Sequence, residues 1–239
     1  MWPRVKVQTV NEKKLEIACF NSTSAFTAYE SGADRIEFCK DKKTDGLSPE
    51  TNDFIFIRKK IQIPIYVMIR CREGNFVYSK NEIEAMSTQL RQFKNLGADG
   101  FVFGCLNERN QIEKSVCQKL IDVAFPLPCT FHRAFDKIEN RNEGIQEIEK
   151  LGFKAILSSG GNSNAIDNIA QLKVTLDTTR QIDLIAGGGI RSENIETLLA
   201  IENLNWIHSS AIINNSELAS AEEIEKIKKQ IKNLRLEIL

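Results

Sequence analysis

The chain has 239 residues, and its 32 Lys and Arg residues balance 32 Asp and Glu residues, so its formal net charge is zero. That balance gives no electrostatic reason to expect nucleic acid as a partner, since proteins that bind it carry a clustered positive excess. No apolar run approaches the roughly 20 residues that span a membrane, and the first residues lack the pattern of a secretory leader. We therefore expect a cytoplasmic protein with neither a nucleic-acid partner nor a membrane partner.

Short apolar runs rich in β-branched residues recur along the chain and alternate with helical patterns. These runs cover residues 15–20, 34–39, 64–70, 98–104, 127–133, 154–159, 182–187 and 205–210. Strands that alternate with helices indicate a parallel sheet, and eight such units favour closure into a (β/α)8 TIM barrel. A doubly wound open sheet is the alternative. No linker-like stretch divides the chain, so we predict a single domain over residues 1–239.

Helix boundaries are marked by capping residues and by glycines. Helices are predicted over 81–97 and 192–204, each beginning with Asn or Ser followed by Glu, and an amphipathic closing helix over 220–239 begins at Ser220. The segments 31–38, 96–103 and 151–157 share one plan, in which a helix ends, a Gly follows and a strand begins. The repeated Gly predicts a left-handed conformation at each helix end.

Ionisable side chains fall on the inward positions of several predicted strands. The inward candidates are Glu16, Arg35, Glu37, Arg70 and His132. Each lies next to one apolar residue that would face the helices, namely Ile17, Ile36, Phe38, Ile69 and Phe131. Charges inside a barrel need partners, and Glu16 paired with Arg35 could have a purely structural role.

Both histidines of the chain fall at carboxyl ends of predicted strands. His132 ends the fifth strand and His208 the eighth, on the face where TIM barrels carry their active sites. An imidazole there suits a general acid/base or a metal ligand. Asp136 could orient the His132 ring, pair with an arginine or cap a helix. The candidate catalytic residues are Glu16, Arg35, Glu37, Arg70, His132, Arg133, Asp136 and His208.

Glycines and serines follow the last three strands, at SSGG (158–161), AGGGI (186–190) and HSSA (208–211). Loops after strands seven and eight are the usual phosphate-binding location in this fold, and arginines at the same face favour an anionic ligand. The candidate anion-binding residues are Arg72, Ser158, Ser159, Gly160, Gly187, Gly188, Gly189, Ser209 and Ser210.

The sequence resembles the copper homeostasis protein CutC family over nearly its whole length. The motifs that carry the resemblance are LEI (15–17), GADRIEFC (32–39), IPIYVMIR (63–70), REGNF (72–76), GADGFVFG (97–104), PLPCTFHRAFD (126–136), LSSG (157–160), AGGGI (186–190) and HSSA (208–211). The resemblance implies a TIM barrel, a cytoplasmic protein, an association with copper and a homo-oligomer. All eight candidate catalytic residues fall on motif positions of the family.

The family often carries two cysteines that have been suggested as copper ligands, and this chain departs from that pattern. Cys39 matches the second of them, but the first position holds Ala18, with Cys19 beside it on the face expected to point outward. Cys71 could supply a replacement thiol near Cys39. Apart from any role in copper binding, the six cysteines are interpreted as reduced thiols that pack as small hydrophobic side chains.

Two functions from different classes remain open. The first is copper binding or trafficking, with Cys39 and Cys19 as candidate ligands and copper as a possible cofactor or partner. The second is an enzyme for a small anionic metabolite, such as a phosphorylated one. In it His132 is the general acid/base, and the arginines and Gly-rich loops bind the anion. No organic cofactor is evident. The chain also looks short after HSSA, where relatives often carry a loop that would cover the site.

Overall fold

The computed structural model of the protein describes residues 13–237, which form a closed barrel of parallel strands. Each strand pairs with the next, and the eighth pairs with the first. The strands are β1 (Lys14–Cys19), β2 (Arg35–Phe38), β3 (Ile65–Met68), β4 (Gly100–Phe103), β5 (Cys129–Phe131), β6 (Ala155–Ser158), β7 (Asp183–Gly187) and β8 (Trp206–Ser209). All eight predicted strands are confirmed, and the open sheet is excluded by the pairing of β1 with β8.

Helices follow the strands and cover the outside of the barrel. They are α1 (Ser22–Glu30), α2 (Thr51–Arg58), α3 (Lys80–Asn95), α4 (Lys114–Ala124), α5 (Arg141–Leu151), α6 (Ile169–Thr178), α7 (Glu196–Leu199) and α8 (Ala221–Glu237). The main apolar core lies between sheet and helices, where side chains such as Ile17, Ile36, Phe101 and Phe131 are fully buried. Among the described helices, none is both long and apolar enough to cross a membrane.

Two of the predicted helices differ from the structure at their ends. α3 begins one residue earlier than predicted, because Ser79 and Glu82 form a capping box that replaces the expected Asn81 cap. α7 is only four residues long instead of extending over 192–204. There the Asn194 side chain accepts from the Arg191 amide and donates to the Gly189 carbonyl, so it holds a turn where the helix was expected to begin.

The three repeated glycines have the predicted backbone. Gly32, Gly97 and Gly152 have φ values of 85°, 92° and 95°, a region that an L side chain occupies only with strain. The aspartates two residues after Gly32 and Gly97 stabilise the amino-terminal ends of neighbouring strands. Asp34 accepts from the Leu15 amide at 2.7 Å, and Asp99 accepts from the Ile65 amide at 2.8 Å. This GAD motif therefore belongs to the end of the barrel opposite the candidate site.

Candidate functional site

A cavity of about 420 Å³ lies at the carboxyl ends of the strands, and every strand or following loop except that of β4 contributes to it. His132, His208, Glu37 and Arg70 all line this cavity. The two histidines and an arginine thus line one cavity, the arrangement that the sequence predicts.

A chain of charged side chains runs from the interior of the barrel to the cavity. Arg35 Nε donates to Glu16 Oε2 at 2.5 Å, and His208 Nδ1 lies 2.8 Å from Glu16 Oε1. The Arg35 guanidinium lies between the rings of Tyr66 and Trp206, 4.2 and 3.9 Å from their centroids. Glu16 is therefore paired on both oxygens, although it is 1% exposed.

The electrostatics of this chain separate its two carboxyl groups. Burial alone would raise the pKa of Glu16, but the charge of Arg35 and the hydrogen bond with His208 lower it to about 2. Burial raises the pKa of Glu37 to about 7, and the negative charge of Glu16 adds to the effect against the opposing charges of His208 and Arg35. Glu16 is thus an anion at neutral pH, while Glu37 can gain and lose a proton there.

Glu37 lines the cavity and is the member of this chain with a carboxyl oxygen that has no hydrogen-bond partner among the described residues. Its Oε2 lies 3.8 Å from His208 Nε2, and its Oε1 is buried without a hydrogen-bond partner within residues 13–237. Burial would lower the pKa of His208, but the charge of Glu37 and the contact with Glu16 raise it instead. His208 therefore connects a fixed anion to a titrating one.

His132 is held as a neutral ring. Its Nδ1 accepts a hydrogen bond from the Ala134 amide at 3.3 Å, so in the neutral imidazole the proton is on Nε2. Burial and the charge of Arg70 lower its pKa to about 3. Nε2 is buried and lacks a partner in the described part of the chain. At ordinary pH such a ring carries a hydrogen-bond donor on Nε2, and His132 is one of the residues that line the cavity.

The candidate arginines have different surroundings. Arg70 lines the cavity but its guanidinium donates to the carbonyls of Thr44, Gly46 and Gly74, so it also anchors the loops after β2 and β3. Arg72, predicted at the same face, does not line the cavity. It donates instead to Glu82 at 2.6 Å and to the Val77 carbonyl at 2.6 Å.

Asp136 contacts an arginine and the serines after β6, not the His132 ring. It accepts from Arg133 Nε at 3.1 Å, from Ser158 Oγ at 2.5 Å and from Ser159 Oγ at 2.9 Å. Arg133 Nη2 also donates to Ser159 Oγ. Among the three alternatives for Asp136, pairing with an arginine is the one observed. Ser158 and Ser159 are fully buried and support the wall, whereas Arg133 and Asp136 line the cavity.

The loops after β7 and β8 supply the adjoining part of the wall. Gly188, Gly189, Ser209 and Ser210 line the cavity, whereas Gly160 and Gly187 are outside the lining. A Cβ at Gly187 would lie 2.7 Å from Leu157, so this glycine permits close packing of neighbouring strands.

Arg191 lines the same wall, although it is not among the residues predicted from the sequence. Its guanidinium lies 3.4 Å from Ser209 Oγ and 3.3 Å from Ser210 Oγ. The sequence feature that could have pointed to Arg191 is its position directly after AGGGI (186–190). Met68 and Lys42 also line the cavity without having been predicted.

The cysteines divide between the two faces of the sheet. Cys39 packs with Met68 and Val102 inside the barrel, whereas Cys19 packs in the main core under the helices, as expected from their positions. Burial, with the negative charge of Glu37 as the next cause, raises the pKa of both thiols well above the usual value. Cys71 is half-buried and packs against the main core rather than in the cluster of Cys39.

Besides the thiols, the site contains a group of carboxylate and imidazole side chains that could hold a metal ion. Atoms of Glu16, Glu37 and His208 lie within 4.8 Å of one another. Nitrogen and oxygen donors of this kind suit harder ions than copper(I). Because Arg35 contacts Glu16 at 2.5 Å, a cation bound there would meet a positive charge. This set is therefore better explained as an internal charge network.

The fold and the site define a TIM barrel with a polar, charged pocket at the carboxyl ends of its strands. The sequence model of the CutC family matches residues 13–213, and the chain belongs to the CutC family. A human protein named copper homeostasis protein cutC homolog is 36% identical over 210 residues, which cover 87% of this chain and 77% of the human protein.

Solved structures agree with this assignment. A structure from Streptococcus agalactiae, described as a copper homeostasis protein CutC, superposes with a TM-score of 0.79 at 27% identity and covers 83% of this chain and 98% of that chain. Thiamine phosphate pyrophosphorylase from Pyrococcus furiosus shares the fold alone, with a TM-score of 0.62 at 16% identity over 94% of this chain and 98% of that one.

Proposed function

We propose that this chain takes part in copper homeostasis and that it binds copper(I) through sulfur atoms inside the barrel. The observation that carries the proposal is its similarity to relatives named copper homeostasis proteins, at 36% identity over most of the chain. Copper(I) prefers thiolate and thioether ligands. Cys39 and Met68 provide one of each in a single cluster, and Met68 also lines the cavity that would admit the ion.

Copper binding at Cys39 would require the loss of the thiol proton. Burial raises the pKa of Cys39 well above its usual value, and the charge of Glu37 raises it further. The ion must therefore displace a tightly held proton, and its affinity should increase with pH. Cys19 is a poor second ligand, because its side chain packs in the core on the opposite face of β1.

The test is a competition titration of copper(I) against a chromophoric chelator. We expect Cys39→Ala to lose one bound equivalent relative to wild type. Cys129→Ala is the matched control, since Cys129 is also a buried strand thiol but packs in the main core. Equal stoichiometry in Cys39→Ala and wild type would rule out a site at Cys39.

A second candidate function is catalysis on a small anionic metabolite, of which a phosphorylated one is an example. The observation that favours it is that His132 and Glu37 line one cavity and that each has a buried atom, Nε2 and Oε1, without a hydrogen-bond partner among residues 13–237. Glu37 would exchange a proton with the substrate, and the His132 Nε2–H would donate to a developing oxyanion. The neutral tautomer thus favours Glu37 over His132 as the proton-transferring group. Glu16 and Arg35 would act only through His208.

The anion would contact the wall formed by the loops after β5, β7 and β8. Arg133, Arg191 and Ser210 line that wall beside Gly188 and Gly189. Guanidinium groups bind phosphate and carboxylate oxygens in paired hydrogen bonds. These positive charges also oppose a free cation at the same place, so an anion is the better occupant of the mouth.

Calorimetric titration with inorganic phosphate tests the anion site. We expect Arg191→Gln to weaken binding about tenfold, as loss of a charge-assisted hydrogen bond predicts. Arg180→Gln is the control, because Arg180 is exposed and does not line the cavity. No phosphate binding by the wild type, together with no small anion co-purifying by mass spectrometry, would contradict the proposal.

A homo-oligomer and a cytoplasmic location are further parts of the proposed role. Both are supported by the family resemblance. Light scattering coupled to size-exclusion chromatography measures the first, and fractionation of cells that express the tagged chain measures the second.

A further inference from the structure

Two of the arginines that line the cavity, Arg70 and Arg191, form no ion pair with a carboxylate of residues 13–237. The arginines of that range that do form one are Arg35, Arg58, Arg72 and Arg133. Arg70 donates only to three backbone carbonyls. Arg191 donates only to two carbonyls and two serine hydroxyls. Both guanidinium groups thus carry a charge that is hydrogen-bonded to neutral oxygens alone.

The charge of Arg70 is the more unusual of the two, because this residue is only 6% exposed. Charged groups that are taken out of water are normally paired with an opposite charge. The Phe76 ring lies 5.1 Å from the guanidinium carbon and offers a weaker cation–π contact. In addition, Arg70 Nε is buried and lacks a hydrogen-bond partner in the described chain. An anion in the cavity would supply the missing opposite charge.

The acidic side chains that line the cavity do not neutralise these two arginines. Asp136 is paired with Arg133. Glu37 lies near His208, and its pKa of about 7 leaves it only partly charged at neutral pH. Asp45 lines the cavity, but it is not ion-paired with an arginine of residues 13–237. The mouth of the barrel therefore retains two positive positions for a ligand.

The two arginines belong to separate sides of the mouth. Arg70 follows β3 and anchors the loops after β2 and β3. Arg191 follows β7 and contacts Ser210 and the Ile212 carbonyl after β8. In the closed strand order, β1 separates these two pairs of strands on one side, and β4 to β6 separate them on the other. The arginines also share no hydrogen-bond partner, so each can bind its own anionic group.

We propose that the ligand of this cavity is a short molecule with an anionic group at each end, one held by Arg191 and Ser210 and the other by Arg70. This inference rests on the proposed function in anion binding and deepens it by naming the class of substrate. A dicarboxylate and a phosphorylated carboxylic acid both have this chemistry, and guanidinium groups bind carboxylate and phosphate alike. The volume of about 420 Å³ is within the usual range for a small-molecule site.

Calorimetry on the wild type tests the proposal with matched ligands at constant ionic strength. Succinate, glutarate and adipate are compared with the monocarboxylates of the same chain length, and 3-phosphoglycerate with glycerol 3-phosphate. We expect the best dianion to bind roughly tenfold more tightly than its matched monoanion, as one added charge-assisted hydrogen bond predicts. The length series and the phosphate pair distinguish a dicarboxylate from a phosphorylated acid.

The possible failures are distinguishable. Monoanions that bind as tightly as their dianions at every length would overturn this inference and leave a single anion site intact. No binding of any of these ligands or of inorganic phosphate would reject both the inference and the anion site.

Variants assign each anionic group to its arginine. Arg70→Gln should reduce the affinity for 3-phosphoglycerate to that for glycerol 3-phosphate, whereas Arg191→Gln should weaken both ligands. Arg180→Gln, at an exposed position outside the cavity, is the control. An unchanged preference for 3-phosphoglycerate in Arg70→Gln would overturn the role of Arg70. If Arg70→Gln fails to fold because its loops lose their anchor, the wild-type comparison still decides whether the ligand carries two anionic groups.

Discussion

The two ring nitrogens of His132 have different surroundings, and these surroundings determine which nitrogen carries the proton. Nδ1 accepts from the Ala134 amide, and Nε2 is buried at the cavity. Because burial and Arg70 lower the pKa of this ring to about 3, we expect it to stay neutral with the proton on Nε2 from pH 8 to pH 4. Two-dimensional 15N spectra of histidine-labelled protein distinguish the tautomers, with His132→Gln identifying the signals. Titration of this ring near pH 6.5 would contradict the assignment.

Glu37 should make the stability of the protein depend on pH. Its pKa is about 7 in the folded state and about 4.3 in an unfolded chain, so folding favours its protonated form. The contribution to stability is complete below the unfolded pKa and is lost as the pH rises through the folded one. Glu37→Gln removes this loss, and its free energy of unfolding relative to wild type should increase by roughly 2 kcal/mol between pH 5 and pH 8.

Urea unfolding of both proteins across that pH range measures the difference. Glu30→Gln is the matched control, because Glu30 is an exposed glutamate at the end of α1. A difference between Glu37→Gln and wild type that does not change with pH would mean that Glu37 titrates at its ordinary value.

At the scale of single residues, the sequence predicted which side chains point inward but few of their contacts. The pairing of Glu16 with Arg35 was considered from the sequence and is observed at 2.5 Å. The alternation of side chains along a strand was enough to predict that Glu16, Arg35 and Glu37 point into the barrel, because their apolar neighbours must face the helices. It was insufficient for Arg72, which lies beyond the end of β3 and turns toward Glu82. Arg191 was missed for a related reason, since a loop side chain takes its direction from tertiary contacts that periodicity does not contain.

Among the structural elements, the strand starts depend on the aspartates of the GAD motifs. Asp99 accepts from the Ile65 amide and pairs with Arg58, so it joins the start of β3 to the end of α2. Asp99→Ala should lower the free energy of unfolding by about 1–3 kcal/mol, because it leaves a backbone donor without its acceptor. Thermal or urea unfolding measures the loss. Asp177→Ala, at an exposed position of α6, should change stability by less than about 0.5 kcal/mol.

Strands were predicted more accurately than helices for a physical reason. Each strand is a short apolar run that must be buried, so its position follows from composition alone. The ends of helices depend on single side-chain hydrogen bonds. Ser79 displaced Asn81 as the cap of α3, and the contacts of Asn194 shortened α7. These contacts involve particular geometries of the loops, which a residue pattern does not specify.

For the whole molecule, closure of the barrel brings together side chains that are far apart in the sequence. The pairing of β1 with β8 places Glu16 beside His208, which is 192 residues away in the chain. Lys13 strengthens this seam through its bonds to the Ile201 and Leu204 carbonyls. The charge network therefore exists only in the closed barrel, and the same contacts that complete the fold complete the site.

The last helix, α8, covers this seam although the family match ends at residue 213. Ile224 and Ile227 are fully buried, and Glu223 accepts from the Ser192 amide and hydroxyl. Ile227→Ala should therefore cost about 2–5 kcal/mol, the usual range for removing a buried isoleucine side chain. Lys229→Ala, on the exposed face of the same helix, is the control. Urea unfolding compares the two, and equal stabilities would mean that α8 contributes little to holding β8 against β1, so the charge network would have to be maintained by strand pairing alone.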